Sequence, residues 1–382
     1  MSSLDRAREI VENYEREVRT ELPPGVVLFD AHTHLGNDID GMVAPYEELE
    51  ATLGRYGFTG AFVFCLDEPD RDPGFCVPND RTLGHAERSG GKLVPFVRLD
   101  LTERPLEEAR RALDLGAQGI KLHPRSQAFS LDDARLAPVF ELAAERDVPI
   151  LIHGGRGLPP IAENLERLVR RCDGVRLIVA HAGIADMAGL AGRLGGIPGV
   201  YFDTSVWSAV DLLDLFRQVP PEQVVYASDF PYGRQPNSLL LSIRTARLAG
   251  FDDAQVRAML GETARAIIEH EPPRELTAPR GATSLVQPLT FARIHQYISM
   301  AVPQLWLRQR DGIGALGLAV NASRERDGHL EEADRIQELL ATASELWRES
   351  GELVSDDDRW AAMRTAIQLV NLADLIAVTT PA

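Results

Sequence analysis

Two histidines at a spacing of two residues offer the first chemistry in this sequence. His32 and His34 follow an apolar run within VVLFDAHTHLG, residues 26–36. Because side chains two residues apart point to the same face of a β-strand, both imidazoles are expected on one face and Thr33 on the other. Two adjacent imidazoles can chelate one divalent cation. The same spacing also occurs in histidines that only hydrogen-bond within a strand end.

Other side chains of the same kind end further apolar runs that are typical of strands. These are Lys121 and His123 on the fourth run, His153 on the fifth, His181 on the sixth and Asp229 on the eighth. In a barrel of parallel strands, the carboxyl ends of the strands meet at one rim, where active sites are built. Zinc prefers imidazole nitrogens and a carboxylate oxygen, with one position open for water. The set therefore predicts a zinc site at this rim.

The residue types also suggest how such a site would work. Zinc lowers the pKa of a bound water to about 7, so hydroxide is available at neutral pH. Asp229 is predicted to bind the metal and to accept the proton of that water; its alternative is a helix N-cap before FPYGR. His181 either binds a second metal or polarises and protonates the substrate.

Three residues are candidates for substrate binding. Only two of the 40 basic residues are lysine, Lys92 and Lys121, so a lysine at the barrel rim calls for a reason. Lys121 is predicted to have a role in the site, with a salt bridge in the barrel mouth as the alternative. His123 contacts substrate or is a structural histidine, and Arg156 in HGGRG is an anion contact or an ordinary loop arginine. Asp203 is expected to support the ligands from behind.

The apolar runs that carry these residues form a regular series. The eight strand candidates are residues 26–34, 60–66, 93–99, 119–124, 149–155, 176–183, 200–205 and 224–231. Amphipathic stretches between them open near Pro or Asp and close near Gly, which is typical of helices. The rhythm predicts an α/β fold, a (β/α)8 TIM barrel over residues 26–272. A doubly wound open sheet uses the same units, but no G-x-G-x-x-G follows the first strand.

Helical segments are predicted before and after the barrel in the sequence. Residues 1–25 predict an N-terminal helix, and residues 282–382 predict an appended all-helical C-terminal region after a linker rich in Pro and Gly. Two apolar stripes, from Ile336 to Trp347 and from Trp360 to Leu375, are expected to pack on each other and on the barrel. The alternative is the interface of a homo-oligomer.

Composition limits the partners that the chain can have. A net charge of -17 argues against nucleic acid and against an anionic membrane surface. The first twenty residues lack the apolar core of a signal peptide, and no run has the apolar length of a membrane span. Three cysteines without a C-x-x-C pair fit a reducing compartment. We expect a cytoplasmic protein whose partner is a small-molecule substrate.

The motifs FDAHTHLG, GIKLHP, ILIHGG, VAHAG and YASDFPYG, taken as a set, resemble the amidohydrolase superfamily. They look most like its amidohydrolase-related branch, which includes the aminocarboxymuconate-semialdehyde decarboxylase-like enzymes. The resemblance covers about residues 26–270 and matches neither the N-terminal helix nor the C-terminal region. It implies one catalytic divalent metal, expected to be Zn²⁺, assisted by His181 and bound by His32, His34, His153 and Asp229.

The resemblance leaves the number of metals and the reaction open. In some members the lysine of the fourth strand is carboxylated and bridges two metals, which here would make Lys121 and His181 ligands. In the branch that this chain resembles, one metal is common, and Lys121 then stays an ammonium that holds a substrate carboxylate. The expected function is a hydrolase whose zinc-bound hydroxide attacks a C–N or C–O bond of an amide, ester or lactone. The alternatives are a zinc-dependent non-oxidative decarboxylase and a barrel without catalytic activity.

Overall fold

Nine strands form one sheet that curls around the core of this protein. A computed structural model describes residues 2–281, 286–309, 312–325 and 328–381. In sheet order the strands are β2 (Val43–Ala44), β1 (Leu28–Asn37), β3 (Phe58–Cys65), β4 (Leu93–Arg98), β5 (Gly119–Leu122), β6 (Ile150–Ile152), β7 (Leu177–Val179), β8 (Val200–Asp203) and β9 (Val224–Val225). Eight of the nine match the predicted runs. The additional strand β2 is short and pairs antiparallel with the end of β1.

The sheet closes between β1 and the segment that follows β9. The backbone nitrogen of Ala31 donates to the Tyr226 carbonyl at 2.9 Å, and that of His34 donates to the Phe230 carbonyl at 2.8 Å. The Asp229 nitrogen donates to the carbonyl of His32 at 3.0 Å. These hydrogen bonds continue the parallel pairing from the last strand to the first, and the predicted TIM-barrel fold is confirmed.

Two predicted strand boundaries are wrong in a way that matters for the site. The first strand continues to Asn37, so both histidines lie within β1 rather than at its end. The eighth strand was predicted over residues 224–231, but regular pairing stops with β9. Beyond Val225 the chain pairs with β1 through separate backbone hydrogen bonds, and Asp229 turns it with a positive φ of 61°. Such local turns depend on tertiary contacts and carry no periodic signal.

Helices cover the outside of the barrel between successive strands. They are α1 (Ser3–Glu21), α2 (Tyr46–Tyr56), α3 (Cys76–Arg88), α4 (Pro105–Asp114), α5 (Leu136–Glu145), α6 (Ala162–Arg171), α7 (Met187–Leu194), α8 (Ala209–Gln218), α9 (Asn237–Leu248), α10 (Asp253–Arg257) and α11 (Thr263–Ile268). Parallel strands that are buried on both faces need no polar alternation, which explains their continuous apolar sequence.

The described residues of the C-terminal region form four helices and the short connections between them. Its elements are α12 (Leu289–Trp306), α13 (Gly312–Ala322), α14 (Leu330–Ser350) and α15 (Asp356–Thr379). The predicted start of this region at residue 282 lies outside the described residues, and the division at residues 25, 272 and 282 stays a prediction. The stripe on α14 is buried as predicted, whereas Trp360 on α15 is only half-buried.

Helix α15 is the centre of this region. It packs against α14 and α12, and against α8 and α9 of the barrel. By length and composition it could cross a membrane, but 72% of its most apolar stretch is buried inside the fold. It therefore has the character of a core helix, and its apolar face is satisfied by neighbouring helices.

Aromatic side chains fill the barrel below the rim. The rings of Phe29 and Phe62 lie 5.0 Å apart, and those of Phe62 and Phe96 lie 4.7 Å apart. Each fully buried phenylalanine contributes about 1.5–3 kcal/mol through removal of apolar surface from water. Phe64 extends this packing to the site, since its ring centre is 5.0 Å from that of His32 and 4.5 Å from that of His34. The floor of the site is thus apolar and rigid.

Candidate metal centre

Three of the predicted ligands converge at the rim of the barrel. The Nε2 atoms of His32 and His34 are 3.2 Å apart. Each of them lies 3.3 Å from Oδ1 of Asp229. All three side chains are buried, and together they form a group that could hold a metal ion.

The chemistry of these donors fits a divalent cation. Nitrogen and oxygen ligands about 2.0–2.1 Å from a tetrahedral zinc ion lie about 3.3 Å from one another, which is the spacing of this group. Burial above all, and then the charge of Lys121, hold the pKa of His32 well below its ordinary value. Burial also raises the pKa of Asp229 well above the ordinary range of a carboxyl. Lone pairs that face each other in a dry site repel, and a shared cation removes that cost.

Asp203 fixes which nitrogen of His32 faces this group. Its Oδ2 atom lies 2.7 Å from Nδ1 of His32, and both side chains are fully buried. The carboxylate accepts the Nδ1 proton, which leaves a lone pair on Nε2. A carboxylate that orients a ligand histidine in this way is typical of metal sites. The supporting role that the sequence predicted for Asp203 agrees with this contact.

Backbone turns at the strand ends aim two of the site residues. His181 and Asp229 have φ values of 56° and 61°, in the left-handed region that residues other than glycine rarely adopt. Asp203 holds the first turn, because its Oδ1 atom accepts the backbone N–H of His181 at 2.8 Å. Backbone strain of this kind concentrates at functional sites, where the surrounding structure must maintain it.

A second carboxylate, Asp30, ties the two halves of the site together. Its Oδ1 atom accepts the backbone N–H of His32 at 3.2 Å and that of Ser228 at 2.9 Å. It thereby links β1 to the segment that carries Asp229. Burial raises the pKa of Asp30 to about 7. Asp30 was not among the predicted site residues. An acidic residue within the apolar run before the two histidines was nevertheless a signal for a role in the site.

The sequence of this region matches a known family. The family described as Amidohydrolase matches residues 29–269. This chain belongs to the amidohydrolase family. The resemblance drawn from the motifs is thereby confirmed, and the matched range contains every predicted site residue. No curated relative matches this amidohydrolase significantly.

Solved structures share the barrel at low sequence identity. An Agrobacterium tumefaciens protein, solved in the apo state, is similar to this amidohydrolase with a TM-score of 0.50 and 19% identity, covering 65% of this chain and 99% of that chain. A 5-carboxyvanillate decarboxylase from Sphingomonas paucimobilis has a TM-score of 0.49 and 16% identity over 64% and 99% of the two chains. A probable 2-pyrone-4,6-dicarboxylic acid hydrolase from Acinetobacter baumannii has a TM-score of 0.48 and 12% identity, covering 63% of this chain and 99% of that chain.

The remaining predicted ligands of this amidohydrolase surround the group of three. The ring centre of His181 lies 5.1 Å from that of His32 and 4.6 Å from that of His153. Both ring nitrogens of His153 are buried without a hydrogen-bond partner in the described part of the chain. A Cβ on Gly155 would lie 2.7 Å from the ring of His153, so glycine preserves the space for this ring. A role as fourth ligand stays a prediction for His153.

His181 is held in one tautomer by the chain that follows β8. Its Nδ1 atom lies 2.9 Å from the carbonyl oxygen of Ser205, so Nδ1 donates and Nε2 keeps its lone pair. Burial lowers the pKa of His181, which favours the neutral ring. Oδ2 of Asp229 lies 4.0 Å from Nδ1 of His181. The anchor is a backbone carbonyl, which every residue has, so the sequence carries no signal for this contact of Ser205.

Lys121 lies inside the site with no acidic side chain within ion-pair distance among the described residues. Its Nζ atom is 3.4 Å from Nε2 of His32 and 4.4 Å from the ring centre of Phe64. The side chain is 1% exposed, and burial lowers the pKa of Lys121 to about 7. The described ion pairs give no support to the salt-bridge alternative. Arg98 lies opposite Lys121 in the register of β4 and β5, and its guanidinium is a second buried cation. The sequence alone did not point to it.

The last two predicted substrate contacts, His123 and Arg156, differ in where their side chains lie. His123 stacks on His153 with ring centres 3.9 Å apart, and its Nδ1 accepts the backbone N–H of Ser126 at 3.2 Å. Arg156 instead points outward: its side chain is 73% exposed and pairs with Asp211 at 2.8 Å. The structure therefore brings His123 to the site and not the guanidinium of Arg156.

Proposed function

We propose that this chain is a metal-dependent hydrolase that cleaves a C–N or C–O bond in a small amide, ester or lactone. The observation that supports it is the convergence of two neutral imidazoles and one carboxylate oxygen within 3.3 Å of one another. A bound divalent metal, expected to be zinc, would supply Lewis acidity and lower the pKa of a coordinated water. His32, His34 and Asp229 would hold it, with His153 as the expected fourth ligand.

The residues of this chain supply the proton transfers of the reaction. Hydrolysis adds the oxygen of water to the acyl carbon, breaks the bond to the leaving group, and moves one proton from water to that group. Asp229 and His181 are assigned to this proton. Oδ2 of Asp229 lies 4.0 Å from Nδ1 of His181, but that nitrogen donates to the Ser205 carbonyl, so the transfer uses Nε2 on the other side of the ring. The neutral His181 accepts it on Nε2 and returns it to the leaving nitrogen or oxygen.

Non-oxidative decarboxylation is the second candidate, and the buried cations favour it. Lys121 has no acidic side chain within ion-pair distance among the described residues, and Arg98 on the neighbouring strand has only a long ion pair with Asp67 at 3.9 Å, as a site for an anionic substrate requires. In this reaction the bond between the substrate carbon and its carboxylate breaks, carbon dioxide leaves, and the carbon takes a proton from Asp229 or His181. The same side chains serve both reactions, because each needs one proton donor beside a polarised group.

The double variant His32→Ala/His34→Ala tests the function directly. We expect elemental analysis to find about one divalent metal per chain in the wild type and almost none in the variant. Lactones, assayed by proton release, amides, assayed by release of the amine, and aromatic carboxylates, assayed by carbon dioxide release, should identify a substrate that only the wild type converts. His270→Ala, an exposed histidine paired with Asp147, is the matched control. Stoichiometric metal or full activity in the double variant contradicts the proposal.

A further inference from the structure

A cleft adjoins the candidate metal centre where barrel loops meet the C-terminal helices. Its wall includes Trp207, Tyr232, Arg234 and Asn237 from the barrel, and Trp306 and Arg364 from the C-terminal helices. The ring centre of Tyr232 lies 6.1 Å from that of His34, so one side chain is shared between the cleft and the metal centre. The C-terminal region therefore forms one wall of a space that opens beside the catalytic rim.

Specific contacts fix this wall against the barrel. The side-chain amide of Gln368 donates to the Gln235 carbonyl at 2.8 Å, and that of Asn237 donates to the Gln368 carbonyl at 2.8 Å. Trp207 of the barrel stacks on Trp306 of α12 with ring centres 4.9 Å apart. Reciprocal hydrogen bonds and an aromatic stack hold the two walls in a defined relation.

Two arginines give the cleft a positive charge that is not fully balanced. Arg234 comes from the barrel and pairs with Glu48 at 2.6 Å. Arg364 comes from α15 and has no carboxylate partner among the described residues, although its guanidinium carbon lies 5.7 Å from the ring centre of Trp360. Burial first, and then the charge of Arg234, lower the pKa of Arg364 to about 10. An anion between the two guanidinium groups would relieve this cost.

Unsatisfied polar atoms point to the same place. The Nε atoms of Arg234 and Arg364, Nε1 of Trp306 and Oδ1 of Asn237 are buried without a hydrogen-bond partner in the described structure. Buried polar atoms nearly always have a partner. Four exceptions on residues that line one cleft indicate that a polar ligand completes them.

We propose that α12 and α15 complete the substrate pocket, and that Arg364 and Arg234 bind a carboxylate of the substrate remote from its reacting carbon. This inference rests on the proposed function and adds that the substrate carries a carboxylate away from the reacting carbon. The indole side chains of Trp207 and Trp306 also line the cleft, which fits a ligand with an apolar, planar body beside its carboxylate. With a net charge of -17, the protein attracts no anion in general, and a local pair of guanidinium groups supplies the selectivity.

Tryptophan fluorescence of the full chain gives a readout that does not depend on catalysis. Two of the four tryptophans, Trp207 and Trp306, line the cleft. We expect benzene-1,3-dicarboxylate to change the emission saturably and the neutral benzene-1,3-dicarboxamide to bind at least tenfold more weakly. Arg364→Gln should weaken binding of the dicarboxylate about tenfold or more, the loss typical of a hydrogen bond between charged groups. Arg359→Gln, an exposed arginine of the same helix that pairs with Asp356, should bind as the wild type does.

Further variants separate this proposal from packing effects and from the proposed function. Arg364→Lys keeps the charge and should bind with intermediate affinity, because an ammonium cannot make a bidentate contact. It remains the test if melting curves show that Arg364→Gln does not fold. The variant His32→Ala/His34→Ala should still bind the dicarboxylate, so a failed search for activity leaves this result intact. Unsaturable binding in the wild type, equal binding of the diamide, or unchanged affinity in both Arg364 variants overturns the proposal.

Discussion

The position of His32 as a metal ligand depends on Asp203, which accepts the proton of the other ring nitrogen, Nδ1. Removing the Asp203 carboxylate frees His32 to put a proton on Nε2, the atom that faces Asp229, and lets the ring rotate. We expect Asp203→Ala to lower metal affinity about 10- to 100-fold, as is typical for the loss of such a partner. Competition with a chromogenic chelator measures it. Asp114→Ala, an exposed acid paired with Arg146, is the control, and equal affinities in a folded Asp203→Ala would refute the role.

The charge of Lys121 distinguishes the two metal arrangements. As an ammonium that holds a substrate carboxylate, it can be replaced by methionine of similar length without loss of the single metal. Lys121→Met should then weaken binding of a carboxylated substrate by about 1.5–3 kcal/mol, the contribution of a hydrogen bond between charged groups. Metal content and KM check this together.

A bridging carbamate gives the opposite result for the same variant. Intact-mass measurement would then find one carbon dioxide on the wild type, and Lys121→Met would lose one of two metals and nearly all activity. Lys92→Met is the control. Lys92 is the other lysine of the chain and lies just before β4, at the end of the strand opposite the site. We expect the first outcome, because the resemblance of the motifs is to a branch where one metal is common.

Most of the chemistry-bearing residues could be read from the sequence because each follows an apolar run. His32, His34 and Asp229 converge although nearly 200 residues separate the histidines from the acid, since barrel topology brings the first and last strands together. Arg98 and Asp30 were missed because a charge inside an apolar run has no characteristic spacing. Arg156 follows a predicted ligand in sequence, but a side chain in a loop can point in any direction.

At the scale of elements, periodicity located the strands but not their ends. Strand β9 ends at Val225, and the pairing of the next residues with β1 is made by backbone hydrogen bonds of a non-regular segment. The antiparallel strand β2 has two residues and is too short for a periodic signal. On the C-terminal helices the stripes were long enough to predict, and their burial follows from packing of α14 on α15.

A half-buried ion pair between two C-terminal helices makes stability depend on pH. His295 on α12 lies 2.7 Å from Asp374 on α15, and this hydrogen bond raises the pKa of His295 above its ordinary 6.5. A folded pKa above the unfolded one contributes stability below pH 6.5 that is lost as pH rises through the folded value. Burial raises the pKa of Asp374 as well, which also favours the fold at lower pH.

The variant His295→Gln isolates this contribution. Glutamine keeps a donor for Asp374 but does not titrate. We expect the Tm of the wild type to fall between pH 6 and pH 8.5 by roughly 1–3 °C more than that of the variant. Differential scanning fluorimetry in matched buffers measures the difference. Parallel curves for the two proteins would mean that this pair does not contribute to the pH dependence.

Across the whole molecule, α1 joins the barrel to the C-terminal region. Arg244 of α9 binds both Glu17 and Glu21, and Glu17 also binds Arg335 of α14 at 2.6 Å. The apolar side of α1, which includes Tyr14, is buried in the same core as α14 and α15. A network of charges that spans three parts of the chain is stronger than isolated surface pairs. The predicted flanking helices thus act together as one support on the outside of the barrel.

Removing the C-terminal region tests whether this support acts through packing. A chain that ends at Pro272 keeps every predicted metal ligand, so the metal should stay bound in the soluble fraction. We expect its Tm to fall by at least several degrees and the protein to aggregate, because α8 and α9 lose their contacts with α15 and expose apolar surface. A protease site placed within residues 273–281 is the matched control: after cleavage all helices remain present, and Tm and metal content should equal those of the uncut protein. If the shortened chain is as stable and as soluble as the full one, the C-terminal region is no part of the support.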